Sequence, residues 1–189
     1  MRSRIIRRCT IAAAVVAGGV AATSSPALAE EIACTGTIGR TTVDNVRVPQ
    51  GATCVLNGTT VQGNVVVSNA ATLRTNAARI NGAVQAEGHR SVSLSGGSVG
   101  NNVQLKQGGA GSVSNVAVTG DIQLDANRQP LDVRSNRVVG SVQVVGNRAP
   151  STITNNRING NLQSKENVPA PTGGGNVVGG NKEDQCASL

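Results

Sequence analysis

The sequence predicts an all-β protein that folds as a single parallel β-helix (β-solenoid) of about 7 to 8 coils. Three observations predict it. An aliphatic residue recurs every 19 or 20 positions, Gly and Asn recur at fixed offsets from it, and the 189 residues include no Phe, Trp or Tyr. Short stacked repeats bury small aliphatic side chains between their strands, so such a fold needs no large rings.

The first 29 residues have the features of a secretory signal peptide. Its basic start consists of Arg2, Arg4, Arg7 and Arg8. An apolar stretch, residues 11–22, follows and is too short to span a bilayer. Small residues then lead to a cleavage site between Ala29 and Glu30. We therefore expect residues 1–29 to be removed and residues 30–189 to form one solenoid domain, which is secreted without a membrane span and is either released or held at the cell wall.

Most of the formal charge of +7 belongs to this leader. Four of the 17 basic residues lie in it, which leaves 13 basic against 10 acidic residues in the mature chain. Without aromatic rings the protein also lacks the stacking platforms that bind single-stranded nucleic acids. We expect no nucleic-acid partner.

The repeat is defined by an anchor residue every 19 or 20 positions: Val46, Val65, Val84, Val103, Ile122, Val142, Leu162 and Lys182. Four residues before the anchors stand Thr42, Val61, Ile80, Val99, Val118, Val138, Ile158 and Val178. Nine residues before them stand Leu56, Thr75, Leu94, Val113, Val133 and Ile153. Equivalent residues should stack at the strand spacing of about 4.8 Å. This coil length differs from the six-residue period of left-handed hexapeptide helices and favours the right-handed form.

Polar residues also form columns. Glycines two positions before the anchors are expected to take positive φ at a corner. Asparagines one position later are expected to hydrogen-bond to one another as a side-chain ladder: Asn45, Asn64, Asn102, Asn161 and Asn181. Strand alternation predicts an outward-facing column one position after the anchors: Gln85, Gln104, Gln123, Gln143 and Gln163.

The sequence does not predict an enzyme. Its carboxylates are scattered over different columns, whereas a polysaccharide-cleaving site needs converging acids. Asp121 falls on the Asn column and is expected to substitute for Asn there, and Asp125 is expected to form a turn. His89 lies among polar residues and is expected to be a solvated loop histidine. We expect no catalytic residue, no cofactor and no metal site.

Six arginines fall into two partial columns. Arg90, Arg128 and Arg148 lie six residues after an anchor, and Arg79, Arg137 and Arg157 lie five before one. The favoured interpretation is a solvated flank. The alternative is a binding surface for an anionic polymer such as a cell-wall teichoic acid.

Three cysteines remain after cleavage, an odd number in an oxidising compartment. Cys34 lies 12 residues before Val46, and Cys54 lies 11 before Val65, so the two should face each other in adjacent coils and form a disulfide. Cys186 lies near Ser164, which cannot supply a partner thiol. Cys186 is therefore predicted to be free and available for a covalent dimer through the C-terminal end.

Three parts of the chain resemble a group of small secreted actinomycete proteins of unassigned function. They are residues 48–67 (VPQGATCVLNGTTVQGNVVV), the V-x-G-N-x-Q repeats, and the tail at 161–186 (NLQSKENVPAPTGGGNVVGGNKEDQC). The resemblance implies export and a repeat fold, and it implies no activity. That group has a Cys where this chain has Ser164. Some repeats are also similar to those of bactofilins, cytoplasmic β-helices that polymerise end to end, although a signal peptide does not fit that family.

These inferences together predict a secreted, non-enzymatic structural, cell-surface or extracellular interaction protein. The alternative is a binding module for an anionic cell-envelope polymer, and a polysaccharide-active β-helix enzyme is third. The expected partners are a cell-wall polymer or a second copy of the chain.

Overall fold

The computed structural model describes residues 30–189, so the predicted signal peptide lies outside the described residues. The described chain contains strands and no helix, arranged in three parallel sheets. The predicted β-solenoid is therefore confirmed. None of the described elements is a helix long and apolar enough to cross a membrane.

The chain visits sheets A, B and C in turn and makes eight turns. Sheet A has nine strands: Glu31–Ala33, Asn45–Val48, Val65–Val67, Val84–Glu87, Val103–Lys106, Ile122–Asp125, Val142–Val145, Leu162–Lys165 and Lys182–Asp184. Sheet B has eight: Thr37–Ile38, Thr53–Asn57, Thr72–Asn76, Ser91–Ser95, Ala110–Ser114, Leu131–Arg134, Ser151–Thr154 and Thr172–Gly174. Sheet C has eight strands of two residues: Thr42–Val43, Thr60–Val61, Arg79–Ile80, Ser98–Val99, Ala117–Val118, Arg137–Val138, Arg157–Ile158 and Val177–Val178.

The predicted anchors pair with one another through sheet A, from Val46 to Lys182. The column nine residues earlier pairs in the same way through sheet B. The prediction for Thr42 is wrong, because Val43 is the residue that pairs with Val61. The first coil has one residue fewer between sheets C and A than the next coil has.

The inward side chains of all three sheets form one continuous core that runs from Cys34 to Leu189. Burial alternates along the strands, as in Val84–Glu87, where Val84 and Ala86 are buried and the other two residues are exposed. Each fully buried Val or Leu contributes roughly 1.5–3 kcal/mol. Lys182 occupies an anchor position and is nevertheless exposed, because its strand lies at the edge of sheet A within residues 30–189, with a neighbouring strand on one side.

The glycines two positions before the anchors do not take positive φ, so that prediction is wrong. Their role is to leave room for the coil below. A Cβ at Gly63 or Gly120 would collide with the side-chain amide of Asn45 or Asn102. The residue after Gly63, Asn64, donates its backbone N–H to Oδ1 of Asn45 in the coil below, at 2.9 Å. The Asn column is thus a ladder, and its rungs join a side chain to a backbone amide.

Positive φ occurs instead at two other corners. In the A/B corner, between sheets A and B, it falls at Gly51, Ala70, Gly88, Gln107, Ala126, Gly146 and Glu166. In the B/C corner it falls at Gly58, Ala77, Gly96, Gly97, Asn115, Ser135, Asn155 and Gly175. A left-handed residue turns the chain sharply. In most coils the residue that follows it is buried.

Two buried asparagine ladders occupy these inward positions in the C-terminal half. The A/B ladder consists of Asn127, Asn147 and Asn167, and the B/C ladder of Asn136, Asn156 and Asn176. Oδ1 of Asn156 accepts the backbone N–H of Asn136 at 3.0 Å, and its Nδ2 donates to the Val133 carbonyl at 2.8 Å. These side chains satisfy backbone groups that the sharp corners would otherwise leave without partners.

Asn156→Ala should lower the free energy of unfolding by on the order of 3 kcal/mol, because it leaves several buried groups without hydrogen-bond partners. Asn159→Ala is the matched control, since Asn159 is exposed in the same coil. Denaturant unfolding of both variants measures the difference. Equal stabilities would contradict the structural role of the ladder.

Candidate functional site

The first arginine column lies in the A/B corner. Backbone hydrogen bonds of 2.7–2.9 Å between adjacent coils fix the register of this column. The N–H of Gly109 donates to the carbonyl of His89, that of Arg128 to Gly108, and that of Arg148 to Asn127. Each acceptor directly precedes a member of the column. Arg90, Gly109, Arg128 and Arg148 therefore occupy the same position in four successive coils. All three arginines are exposed. Arg128 and Arg148 are separated by one coil step of about 5 Å, and Arg90 by two steps from Arg128.

The second column lies on the outer face of sheet C. Arg137 and Arg157 are direct partners in the parallel ladder. Arg79 belongs to the same column, three coils before Arg137, with Ser98 and Ala117 between them. The two columns are thus on different sides of the rod, and each contains one pair of arginines in adjacent coils.

Neither column is neutralised by carboxylates. The ion pairs within residues 30–189 are Arg47–Glu31 at 2.6 Å, Arg134–Asp132 at 3.0 Å, Lys106–Asp125 at 3.8 Å and Lys165–Glu166 at 3.8 Å. None involves an arginine of either column. Like charges one coil apart repel, so Arg128 and Arg148 favour an anion between them or above them.

An open cleft of about 440 Å³ adjoins Arg128 and is lined also by Asn69, Glu87, Gly88 and Gln107. Its lining supplies one guanidinium, one carboxylate and two amides. These groups can recognise a polar polymer by hydrogen bonds as well as by charge.

The structure does not gather the carboxylates into one site. Asp121 substitutes for Asn in its column, as expected, and accepts the N–H of Ser141 at 2.7 Å. Asp125 ends a strand of sheet A instead of forming a turn. Burial raises the pKa of Asp125, and the Lys106 ammonium opposes this effect. Within the described residues no three His, Cys, Asp or Glu side chains lie close enough together to hold a metal ion.

The prediction of a solvated His89 is wrong. The side chain lies inside the A/B corner and is 2% exposed. It occupies the inward position that Asn127, Asn147 and Asn167 take in later coils. Sequence reasoning also missed those asparagines as buried residues, although their spacing of 20 residues from one another was a readable signal.

The disulfide between Cys34 and Cys54 is present, with Cα atoms 5.4 Å apart. Both cysteines are buried, and the bond joins the first coil to the second. Closing a loop of this size restricts the unfolded chain and contributes about 3 kcal/mol. The bond holds the first coil of the described chain, which within residues 30–189 has a neighbouring coil on one side only.

Among residues 30–189, Cys186 has no disulfide partner, and its side chain is fully buried. It lies in the terminal turn that, with Leu189, closes the C-terminal end of the core. Burial raises the pKa of the Cys186 thiol, and a hydrogen bond with the Ser164 side chain opposes this rise. A buried thiol of raised pKa reacts slowly. A dimer linked through Cys186 would therefore require this terminal turn to open first.

Thiol titration of the denatured, unreduced mature protein should give one reactive group per chain, and Cys186→Ser should give none. In the native protein the same reagent should react far more slowly, because Cys186 is buried. Three reactive thiols, or a peptide linking Cys186 to Cys34 or Cys54, would contradict this disulfide assignment.

Comparisons of this chain with protein-family models, with curated proteins and with solved structures found no match. The resemblance to small secreted actinomycete proteins and to bactofilins stays a prediction from the sequence.

Proposed function

We propose that this protein is exported and acts as a non-enzymatic structural or interaction protein, at the cell surface or in the medium. One observation carries the proposal: side chains of the same type recur along the outside of the rod in successive coils. Sheet A presents five glutamines in register, from Gln85 to Gln163. A surface of this kind offers the same contacts repeatedly to a long partner that lies along the rod.

Cell fractionation tests the export and location of the protein. We expect the chain in the medium or the wall fraction, and we expect it to begin at Glu30. Sizing the released protein under native conditions then separates a free rod from a self-associated one. A chain that keeps Met1 and remains in the cytoplasm would overturn the proposal.

The second candidate function is binding of an anionic envelope polymer. It is favoured by the column Arg90, Arg128 and Arg148, which lies in register and lacks carboxylate partners. Exposed guanidinium groups attract polyanions, and salt screens this attraction over a Debye length of about 8 to 10 Å. The polymer would lie parallel to the rod, because the charges are arranged in that direction.

Substituting all three of these arginines by Gln should weaken retention on purified cell wall or on immobilised heparin by roughly tenfold, with little change in stability. The matched control substitutes Arg79, Arg137 and Arg157 by Gln, which removes the same charge from another side of the rod. Retention should also fall as salt rises. Equal losses in the two triple variants would mean that net charge alone drives binding, and unchanged retention in the first would reject the column as a site.

A further inference from the structure

His89 is a buried polar side chain without partners. Neither ring nitrogen has a hydrogen-bond partner within the described part of the chain. The side chain packs against Gly108 of the next coil, where a Cβ would collide with the imidazole ring. His89 and Gly108 are therefore matched to each other, because any larger residue at 108 would displace the ring.

The later coils show what this corner needs. Asn127, the equivalent of Gly108 one coil later, reaches back to the coil below: its Oδ1 accepts the Gly108 N–H at 3.0 Å and its Nδ2 donates to the Leu105 carbonyl at 2.9 Å. Asn147 and Asn167 make the same pair of contacts. Gly108 cannot make them, so the last asparagine of the A/B ladder on this side, Asn127, lies two coils above His89. In the coil of His89, the imidazole fills the A/B corner, but within the described chain it makes no hydrogen bonds like those of the asparagines in the later coils.

A charged imidazole fits this position poorly. It carries two N–H donors and no acceptor, and the ring is shielded from water. Burial lowers the pKa of His89, and the nearby backbone of Ala86 and Ala110 opposes this effect. Neither backbone group is within hydrogen-bonding geometry of the ring.

In the part of the chain that the structure describes, no charged side chain stabilises a proton on the imidazole ring. Glu87 and Arg90 lie on the same turn and are exposed, Lys106 lies in the next coil and is ion-paired with Asp125, and Arg128 lies one coil further. Residues 68–71, in the coil below, include no titratable side chain. None of these charges contributes to the shift in the pKa of His89.

We propose that His89 makes the middle of the rod sensitive to acid: protonation of the buried imidazole opens the A/B corner between residues 84 and 111, whereas the coils that contain asparagine ladders stay closed. This inference is independent of the proposed function. The opening is confined to the coils next to His89, because each coil of a solenoid contacts only its neighbours.

The direction of the effect follows from linkage. His89 binds its proton more weakly in the folded state than in the unfolded state. The free energy of unfolding is therefore not reduced by His89 above the unfolded pKa of about 6.5, and it falls as the pH drops below that value. The folding equilibrium constant loses up to about tenfold per pH unit until the folded pKa is reached. Asp125, whose pKa is raised, acts in the opposite direction and is the same in every variant below.

The test compares the mature, disulfide-bonded protein with His89→Asn, which cannot be protonated, at about pH 8 and about pH 5. Hydrogen exchange, corrected for the intrinsic pH dependence of the rate, is measured along the chain. In the unsubstituted protein, the backbone amides of residues 88–91 and 107–111 should lose about tenfold or more in protection at the lower pH relative to those of residues 142–165. In His89→Asn this relative loss should be absent. An equal loss in both proteins, or a loss spread evenly over all coils, would overturn the proposal.

A second measurement needs no variant. His89 is the single histidine of the chain, so an untagged protein gives one set of imidazole NMR signals. These signals should stay in the neutral form below pH 6.5 for as long as the corner is closed. An ordinary titration near pH 6.5 with all coils still protected would overturn the proposal by itself.

Discussion

The structure depends on one constraint: every coil must stack on a coil of nearly the same shape. Parallel pairing places each residue directly above its equivalent, so the fit at any position is decided by two neighbours, one below and one above. Aliphatic side chains satisfy this requirement in the strands because they pack on copies of themselves. At the corners the chain turns, and there polar groups must find partners in the adjacent coil. Because the hydrogen bonds between strands run along the rod, an error in one coil affects its two neighbours first.

The strand columns could be predicted because burial leaves a periodic signal. Val103 and Ile122 are fully buried, and stacked coils require an aliphatic residue at every such position, at a spacing of 19 or 20 residues. The corners could not be predicted so well. Positive φ falls at residues such as Ala126 and Glu166, types that do not indicate it. Gly63 is of a residue type that is common in turns, but here glycine is needed because a Cβ would collide with the Asn45 side chain of the coil below.

The candidate site shows the same limit. Spacing alone placed the arginines in two columns, since residues at a constant offset from the anchors must stack. Spacing could not reveal that, within residues 30–189, all six arginines lack a carboxylate partner. For His89, the polar neighbours Glu87 and Arg90 suggested solvent, but the left-handed Gly88 turns the chain so that the next side chain points inward. A polar stretch in sequence can therefore contain one fully buried residue wherever the backbone makes a sharp corner.

The two halves of the rod differ in how they could change length during evolution. In the C-terminal half, each coil of 20 residues contributes one asparagine to the A/B ladder and one to the B/C ladder. Such a coil therefore offers the same hydrogen-bond donors and acceptors to the coil above as it meets in the coil below. Duplication or loss of such a coil would leave every rung satisfied. The N-terminal half lacks this freedom, because the first two coils are joined covalently and His89 fits only beneath a glycine. Descendants of this chain would vary in length by whole coils, gained or lost at the C-terminal side of Gly108.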